Sequence, residues 1–166
     1  LGPYRWDRIT GFLRPGRDPL GTGYQPIQSM IAVGTGGITG LGIGDSVQKQ
    51  GFLPEAHSDF IYAVIGEEAG LIGATIVLLC FAIIVWRGIR TSLRAPDRFG
   101  SLVALGLTMM IAAQAFVNMS VVLAMLPTKG IPLPFVSAGG SSLVVSLAAM
   151  GILLNISQHA SAEVLE

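Results

Sequence analysis

Three long apolar segments dominate the pattern of hydrophobic and polar positions along this chain. They cover residues 60–86, 100–126 and 140–157, and only the first contains charged side chains. An α-helix needs about 20 mainly apolar residues to cross the hydrocarbon core of a bilayer. The pattern therefore predicts an all-α fold, a fragment of a polytopic membrane protein with three transmembrane helices and a long extracytoplasmic loop.

Four arginines follow the first apolar segment, namely Arg87, Arg90, Arg94 and Arg98. We expect them in a short connection between the first two helices, and the excess of positive charge predicts that this connection is cytoplasmic. The chain then divides into an extracytoplasmic loop at residues 1–59, a single three-helix membrane domain at residues 60–159 and a cytoplasmic tail at residues 160–166.

The predicted extracytoplasmic loop has three parts. Residues 1–24 mix arginines with aromatic residues, which is typical of an interfacial loop, and they form either a solvated basic loop or a cationic surface for lipid headgroups or diphosphate. The apolar stretch at residues 25–33 is too short to span a bilayer and predicts a short half-buried or re-entrant element. The glycine-rich residues 34–44 lack a nucleotide-binding spacing, so we expect a tightly packed turn there.

Composition supports a membrane protein and excludes several other classes. Only 12% of the residues are charged and the mean hydropathy is +0.66, whereas soluble domains carry about 25% charged residues. The formal net charge is zero, and nothing in it indicates a nucleic-acid partner. Cys80 is the only cysteine in the sequence, which excludes a disulfide, and His57 and His159 are too far apart in the predicted topology to bind a metal as a pair.

The residues directly before the first predicted helix carry the strongest candidate chemistry. Glu55, His57 and Asp59 lie at the predicted membrane surface, where ionisable groups are either exposed or retained for a function. Asp59 is our candidate chemical centre, although an aspartate here can also simply cap the helix. Glu67 and Glu68 lie two turns into the helix, so that either at least one faces the protein interior or a cavity, or both lie at headgroup depth.

Polar residues in and after the second segment complete the candidates. Gln114 and Asn118 place two amides on one helix face, where hydrogen bonds between helices are favoured over contacts with a ligand. The following loop is rich in proline and glycine, and Lys129 is its only basic residue. His159 is expected to be solvated at the cytoplasmic end of the chain.

Four gapless stretches of the sequence carry a family resemblance. They read DPLGTGYQPIQS at 18–29, AVGTGGITGLG at 32–42, FLPEAHSDFIYAVIGEEAGLIG at 52–73 and PTKGIPLPFVSAGGSS at 127–142. Together they resemble the FtsW/RodA/SpoVE family of shape, elongation, division and sporulation proteins, and the GYQ and PTKG residues are more similar to its cell-division branch. Ser58 replaces the usual threonine, and Ala138 replaces a common tyrosine, which removes any contact made by that ring.

The resemblance implies a protein of about ten spans, of which this chain would hold the fourth outer loop and the last three helices. It also implies a peptidoglycan glycosyltransferase that joins lipid II units, carried on undecaprenyl diphosphate, into glycan strands outside the plasma membrane. Asp59 matches the essential aspartate of the family and is the expected general base. Lys129, arginines of the outer loop or a divalent cation such as Mg²⁺ or Mn²⁺ would offset the charge of the leaving diphosphate.

Other residues are expected in supporting roles. Substrate binding is assigned to Lys129, Glu55, His57, Ser137, Gly139, Gly140 and Ser141. Glu67 and Glu68 are expected to support Asp59, and Glu55, His57, Glu67 and Glu68 could help to bind a metal.

Two alternative functions remain open for a protein of this kind. It could be a lipid II flippase, or a non-catalytic membrane scaffold for a class B penicillin-binding protein. The expected partners are lipid II, a class B penicillin-binding protein, other division proteins and membrane lipids, with a location at the division septum. The spans that precede this chain would form the other wall of a substrate cavity, so the chain alone is expected to be inactive.

Overall fold

A computed structural model describes residues 24–42, 44, 59–127 and 130–162 of the chain. The described residues form helices and no strands, which confirms the predicted all-α fold. The helices are α1 (Tyr24–Gly36), α2 (Ile61–Arg94), α3 (Arg98–Val122) and α4 (Gly140–Ala162). Helices α2, α3 and α4 are long and apolar enough to cross a membrane.

Helix α1 corresponds to the short apolar element predicted before the glycine-rich stretch. It is half-buried, as expected, because only one of its faces packs against α2. Ser29 and Ala32 lie on the packed face and have no exposed surface, whereas Met30 and Ile31 are more than 40% exposed. This packing places the glycine-rich residues directly beside the first half of α2.

Helix α2 is interrupted at Gly70, where the backbone has φ 63° and ψ −161°. A helix broken at this point loses the hydrogen bonds between residues 67 and 71 and between residues 68 and 72. Residues 37–42 replace both through four backbone bonds: Leu41 N to Glu67 O (3.0 Å), Gly42 N to Glu68 O (3.1 Å), Leu71 N to Gly37 O (2.9 Å) and Ile72 N to Ile38 O (3.3 Å). The prediction of a tightly packed glycine turn is therefore confirmed, and its packing partner is the break in α2.

Three predicted helix ends were wrong: α2 and α4 continue further than expected, whereas α3 ends at Val122 and not at the predicted residue 126. Arg87, Arg90 and Arg94 belong to α2, so that the connection to α3 comprises only residues 95–97. Arginine is a good helix former, and the helix ends only where Pro96 excludes a helical conformation at the preceding residue. Helix α4 likewise extends to Ala162, so His159 is an exposed helical residue rather than part of a tail.

The two longest helices approach each other closely where small residues meet. A Cβ atom at Gly88 of α2 would overlap the side chain of Thr108 of α3. Nearby, the Ser92 hydroxyl donates to the Ser101 carbonyl at 2.8 Å. The opposite faces carry exposed apolar side chains, such as Leu79 and Ile83 at 55% and 56% exposure, as expected for helices in contact with lipid.

The bundle has two ends of different chemistry. Asp59, the end of α3 and the start of α4 lie at one end, which we call the Asp59 end. The arginines of α2 and the connection at residues 95–97 lie at the other, the Arg94 end. The positive-inside rule predicts that the Arg94 end is cytoplasmic and that the Asp59 end faces outward.

Candidate functional site

Asp59 lies in the turn that leads into α2, and its side chain is partly exposed. The residue at the helix cap is Phe60, whose apolar side chain forms no capping hydrogen bond. The Phe60 carbonyl accepts from Ala63 N at 2.9 Å and from Val64 N at 3.3 Å. The N-cap position of α2 is thus Phe60 rather than Asp59.

Asn118, near the end of α3, connects the Asp59 turn to the loop that follows α3. Its side-chain amide donates to the Asp59 carbonyl and to the Ile131 carbonyl, both at 2.8 Å. Asn118 is only 2% exposed, so its side-chain amide makes both bonds from a buried position. The expected hydrogen bond between helices was wrong for Asn118, which bonds to a turn and a loop.

The loop after α3 also lies against the carboxylate of Asp59. A Cβ atom placed on Gly130 would be only 2.7 Å from Asp59 Oδ2. Glycine at this position lets the loop backbone approach the carboxylate more closely than any other residue would. Asp59 and the residue that directly follows Lys129 in the sequence are thus neighbours in space.

Glu67 and Glu68 lie away from this cluster, at the break in α2. Glu67 is buried at 1% exposure, which confirms that at least one of the two faces the interior. The backbone carbonyls of both residues accept hydrogen bonds from the glycine-rich segment. Ile61, the first residue of α2, and Glu67 are separated by about 9 Å along the helix axis at 1.5 Å per residue. Glu67 therefore lies further into the bundle than Asp59, which precedes the helix.

The remaining described candidates belong to the loop before α4 and to the first turn of α4. The Ser137 hydroxyl accepts a hydrogen bond from Leu133 N at 2.7 Å, and both residues are buried. Gly139 directly precedes α4, and its carbonyl accepts from Leu143 N at 2.9 Å. Gly140 and Ser141 are exposed in the first turn of α4. Ser137 and Gly139 therefore shape the loop, and their assignment to substrate binding stays a prediction, as it does for Gly140 and Ser141.

One loop residue has a backbone conformation that sequence analysis did not indicate. Phe135 has φ 66°, a left-handed conformation that is rare for a bulky residue. Such strain persists only where the surrounding structure imposes it. The turn around Phe135 is held by the buried Ser137 and Leu133 bond, which makes this loop a defined wall at the Asp59 end.

Glu55, His57 and Lys129 lie outside the described residues, so their predicted roles are untested by the geometry. Among the residues that the structure describes, no three histidine, cysteine, aspartate or glutamate side chains are close enough to hold a metal ion. The described residues thus do not form a metal site, and we derive no reaction step through a metal.

The geometry at the Asp59 end suits proton transfer. Asp59 is partly exposed, and its backbone is held by a buried amide that also holds the facing loop. The N-terminus of α2 carries partial positive charge, which favours a negatively charged group nearby. A carboxylate held at a membrane surface can accept a proton from a bound hydroxyl group.

The Asn118 bridge leads to a first prediction. Asn118→Leu preserves the approximate size of the side chain but removes the donor from two partly buried carbonyls. A fully buried unsatisfied group costs about 1–3 kcal/mol, so for two partly buried groups we expect the free energy of unfolding to fall by about 1–3 kcal/mol. Thermal unfolding of the intact, detergent-purified protein measures the loss.

Gln114 provides a matched control for this variant. It lies one turn earlier on α3, and its side chain makes no hydrogen bond within the described part of the chain. Gln114→Leu should therefore change stability by less than about 0.5 kcal/mol. Equal stability of the two variants would contradict the role assigned to Asn118.

Comparisons with known proteins agree with the geometry. The FtsW/RodA/SpoVE family model, described as "Cell cycle protein", matches residues 1–162. Stage V sporulation protein E of Bacillus subtilis (strain 168) is 54% identical over 157 residues, which cover 95% of this chain and 43% of that protein. "Probable peptidoglycan glycosyltransferase FtsW" of Geobacter metallireducens (strain ATCC 53774 / DSM 7210 / GS-15) is 54% identical over 154 residues, covering 93% of this chain and 41% of that protein.

A solved structure is also similar. One chain of the structure described as "Structural coordination of polymerization and crosslinking by a peptidoglycan synthase complex" matches with a TM-score of 0.73 and 30% identity, over 96% of this chain and 43% of that chain. The chain thus spans about two fifths of the length of the relatives that it matches. The family model covers nearly every residue, and this chain belongs to the FtsW/RodA/SpoVE family of cell cycle proteins.

Proposed function

We propose that the intact protein containing this chain is a peptidoglycan glycosyltransferase that polymerises lipid II, with Asp59 as its general base. The observation that carries this proposal is the position of Asp59: the residue is partly exposed, its carboxylate lies against Gly130, and its backbone carbonyl accepts from Asn118. The name of the Geobacter relative supports the same activity. A membrane location is consistent with the substrate, because lipid II is anchored in the bilayer by its undecaprenyl chain.

The proposed reaction transfers one glycan unit per cycle. The acceptor hydroxyl oxygen attacks the anomeric carbon of the donor while its proton passes to Asp59. A new glycosidic C–O bond forms as the bond from the anomeric carbon to the diphosphate breaks, and the bonding electrons leave with the diphosphate. Asp59 can then return its proton to solvent, since the residue is partly exposed.

The leaving diphosphate accumulates negative charge and needs a cationic partner. We assign this role to Lys129 and to arginines of the outer loop, all of which lie outside the described residues. Gly130 follows Lys129 directly and lies against Asp59, so a cation in this loop segment would be within reach of the reaction. A divalent cation is a further candidate for this role, and the described residues do not provide its ligands.

We also propose that the protein works with a class B penicillin-binding protein and with other division proteins at the septum of the bacterial inner membrane. The similar solved structure is a peptidoglycan synthase complex that coordinates polymerisation with crosslinking. Both a sporulation protein and a division protein are 54% identical to this chain. The septal assignment therefore depends on the GYQ and PTKG residues rather than on overall identity.

The activity can be tested with lipid II supplied in detergent. The intact protein, purified with its class B penicillin-binding protein, should convert lipid II into glycan polymer that is resolved by gel electrophoresis. A flippase would make no polymer in detergent and would move lipid II only across a sealed bilayer. A scaffold would bind the penicillin-binding protein without making polymer, and either result would exclude the proposed activity.

A further inference from the structure

A groove at the Arg94 end of the bundle lies between α2 and α4, on the opposite side of the membrane from Asp59. Its cavity volume is about 470 Å³. The part nearer the middle of the bundle is apolar and includes Ile83, Ile84 and Leu153, whereas Arg87, Arg90 and Arg94 line the part nearer the helix ends. The groove thus combines an apolar part with a strongly basic part.

The three arginines share one helix face, since residues spaced by three, four and seven lie on the same side of an α-helix. None of them pairs with a carboxylate in the part of the chain that the structure describes. Asp97 is the nearest acidic residue in the sequence, and its carboxylate accepts from Gly100 N at 2.8 Å as the cap of α3. The positive charge in the groove is therefore not neutralised by Asp97.

The position of the groove matches the depth at which lipid headgroups begin. Ile83 and Arg94 are separated by about 16 Å along α2 at 1.5 Å per residue, a distance that extends from the acyl region to the headgroup region. Arg90 lies over the ring of Trp86 at 5.8 Å, and Trp86 is 59% exposed. Tryptophan and arginine are enriched at this interface, so the pair marks its level along the helix.

From this arrangement we infer that the groove binds an anionic phospholipid of the cytoplasmic leaflet. The phosphate of the headgroup would bind to Arg87, Arg90 and Arg94, whose guanidinium groups match phosphate geometry with two parallel hydrogen bonds. The first part of an acyl chain would lie on Ile83, Ile84 and Leu153. The inference uses the Arg94 end alone and does not depend on the reaction proposed at Asp59.

The charge distribution favours a phospholipid over a small soluble anion. A free phosphate would bind the arginines but would make no contact with the apolar part of the groove, which lies at the depth of the acyl chains. A phospholipid covers both surfaces at once, and anionic lipids are concentrated in the cytoplasmic leaflet next to this groove. A zwitterionic phospholipid such as phosphatidylcholine has the same phosphate but also a positive charge in its headgroup, so it would neutralise the three arginines less well.

The inference can be tested by native mass spectrometry of the intact, detergent-purified protein titrated with phosphatidylglycerol or with phosphatidylcholine. We expect the wild-type protein to retain phosphatidylglycerol preferentially. One arginine near an anionic headgroup contributes about fivefold in affinity, so Arg87→Gln and Arg94→Gln should each weaken phosphatidylglycerol binding about fivefold. Arg87→Lys retains the charge without the paired hydrogen bonds and should weaken it less.

Arg98→Gln is the matched control. Arg98 lies at the same end of the bundle and is exposed, but it does not line the groove, so the variant removes one charge from the same membrane side. It should bind phosphatidylglycerol as the wild type does. The inference would be overturned if the wild-type protein retained both lipids equally, or if Arg98→Gln and Arg87→Gln lost binding equally. It would also be overturned if folded Arg87→Gln and Arg94→Gln bound phosphatidylglycerol as the wild type does, or if another segment of the intact protein filled the groove.

Discussion

Asp59→Asn is expected to reduce the rate of glycan polymerisation by at least about 100-fold. Asparagine preserves the shape of the side chain against Gly130, but its amide cannot accept a proton from the attacking hydroxyl group. General base catalysis contributes about 10²–10⁴-fold to the rate of such reactions. The backbone carbonyl of residue 59 still accepts from Asn118 in the variant, so the fold should be retained. The measurement is the initial rate of polymer formation from lipid II in detergent.

Asp97→Asn is the matched control for this variant. It replaces a carboxylate by an amide in the same way, but at the opposite end of the bundle, where Asp97 caps α3. Asparagine is also a good cap residue, so both stability and the polymerisation rate should stay near the wild-type values. If folded Asp59→Asn kept more than about one tenth of the wild-type rate, the assignment of Asp59 as general base would be wrong. A wild-type protein without polymerase activity would instead contradict the proposed function as a whole.

The apolar segments predicted the fold correctly because each long helix buries little of its surface within the chain. In the most apolar window of α2, only 11% of the residues are buried, so hydrophobicity reports on the surrounding lipid and can be read directly from the sequence. Helix ends were less predictable. Arg87, Arg90 and Arg94 indicate where the membrane ends, but an arginine does not end a helix, and α2 continues to Arg94.

The site was only partly predictable, for a physical reason. Asp59 could be chosen from its position before an apolar segment and from its resemblance to the family. Its partners could not, because the bond from Asn118 to the Asp59 carbonyl joins residues 59 positions apart. An asparagine within an apolar helix shows only that a hydrogen bond is needed. Whether a helix, a turn or a loop supplies the acceptor depends on the tertiary packing.

Gly70→Ala is expected to cause the largest loss of stability. The backbone at Gly70, with φ 63° and ψ −161°, lies in a region that only glycine adopts readily. A Cβ atom there would also overlap Gly40 N and Ile38 O, which are backbone atoms and cannot move aside as a flexible side chain would. We expect the free energy of unfolding to fall by about 3 kcal/mol or more, since the strain adds to the loss of backbone hydrogen bonds.

The loss should be severe because the break in α2 lies in an apolar helix. Inside a bilayer no water replaces a lost backbone hydrogen bond, so the four bonds from residues 37–42 are required to satisfy the broken helix. An alanine at position 70 would favour a continuous helix and would displace the glycine-rich segment. Glu67 and Glu68, whose carbonyls accept two of these bonds, would change their surroundings as well.

Substitutions of two other glycines are controls for the general preference of helices for alanine. A Cβ atom at Gly106 of α3 or at Gly151 of α4 would contact nothing within 4 Å. Gly106→Ala and Gly151→Ala should therefore be neutral or more stable by up to about 1 kcal/mol, because alanine favours the helical conformation. Thermal unfolding of the purified intact protein distinguishes the three variants. If Gly70→Ala were as stable as the two controls, the four backbone bonds between residues 37–42 and the break would not be what holds this segment to α2.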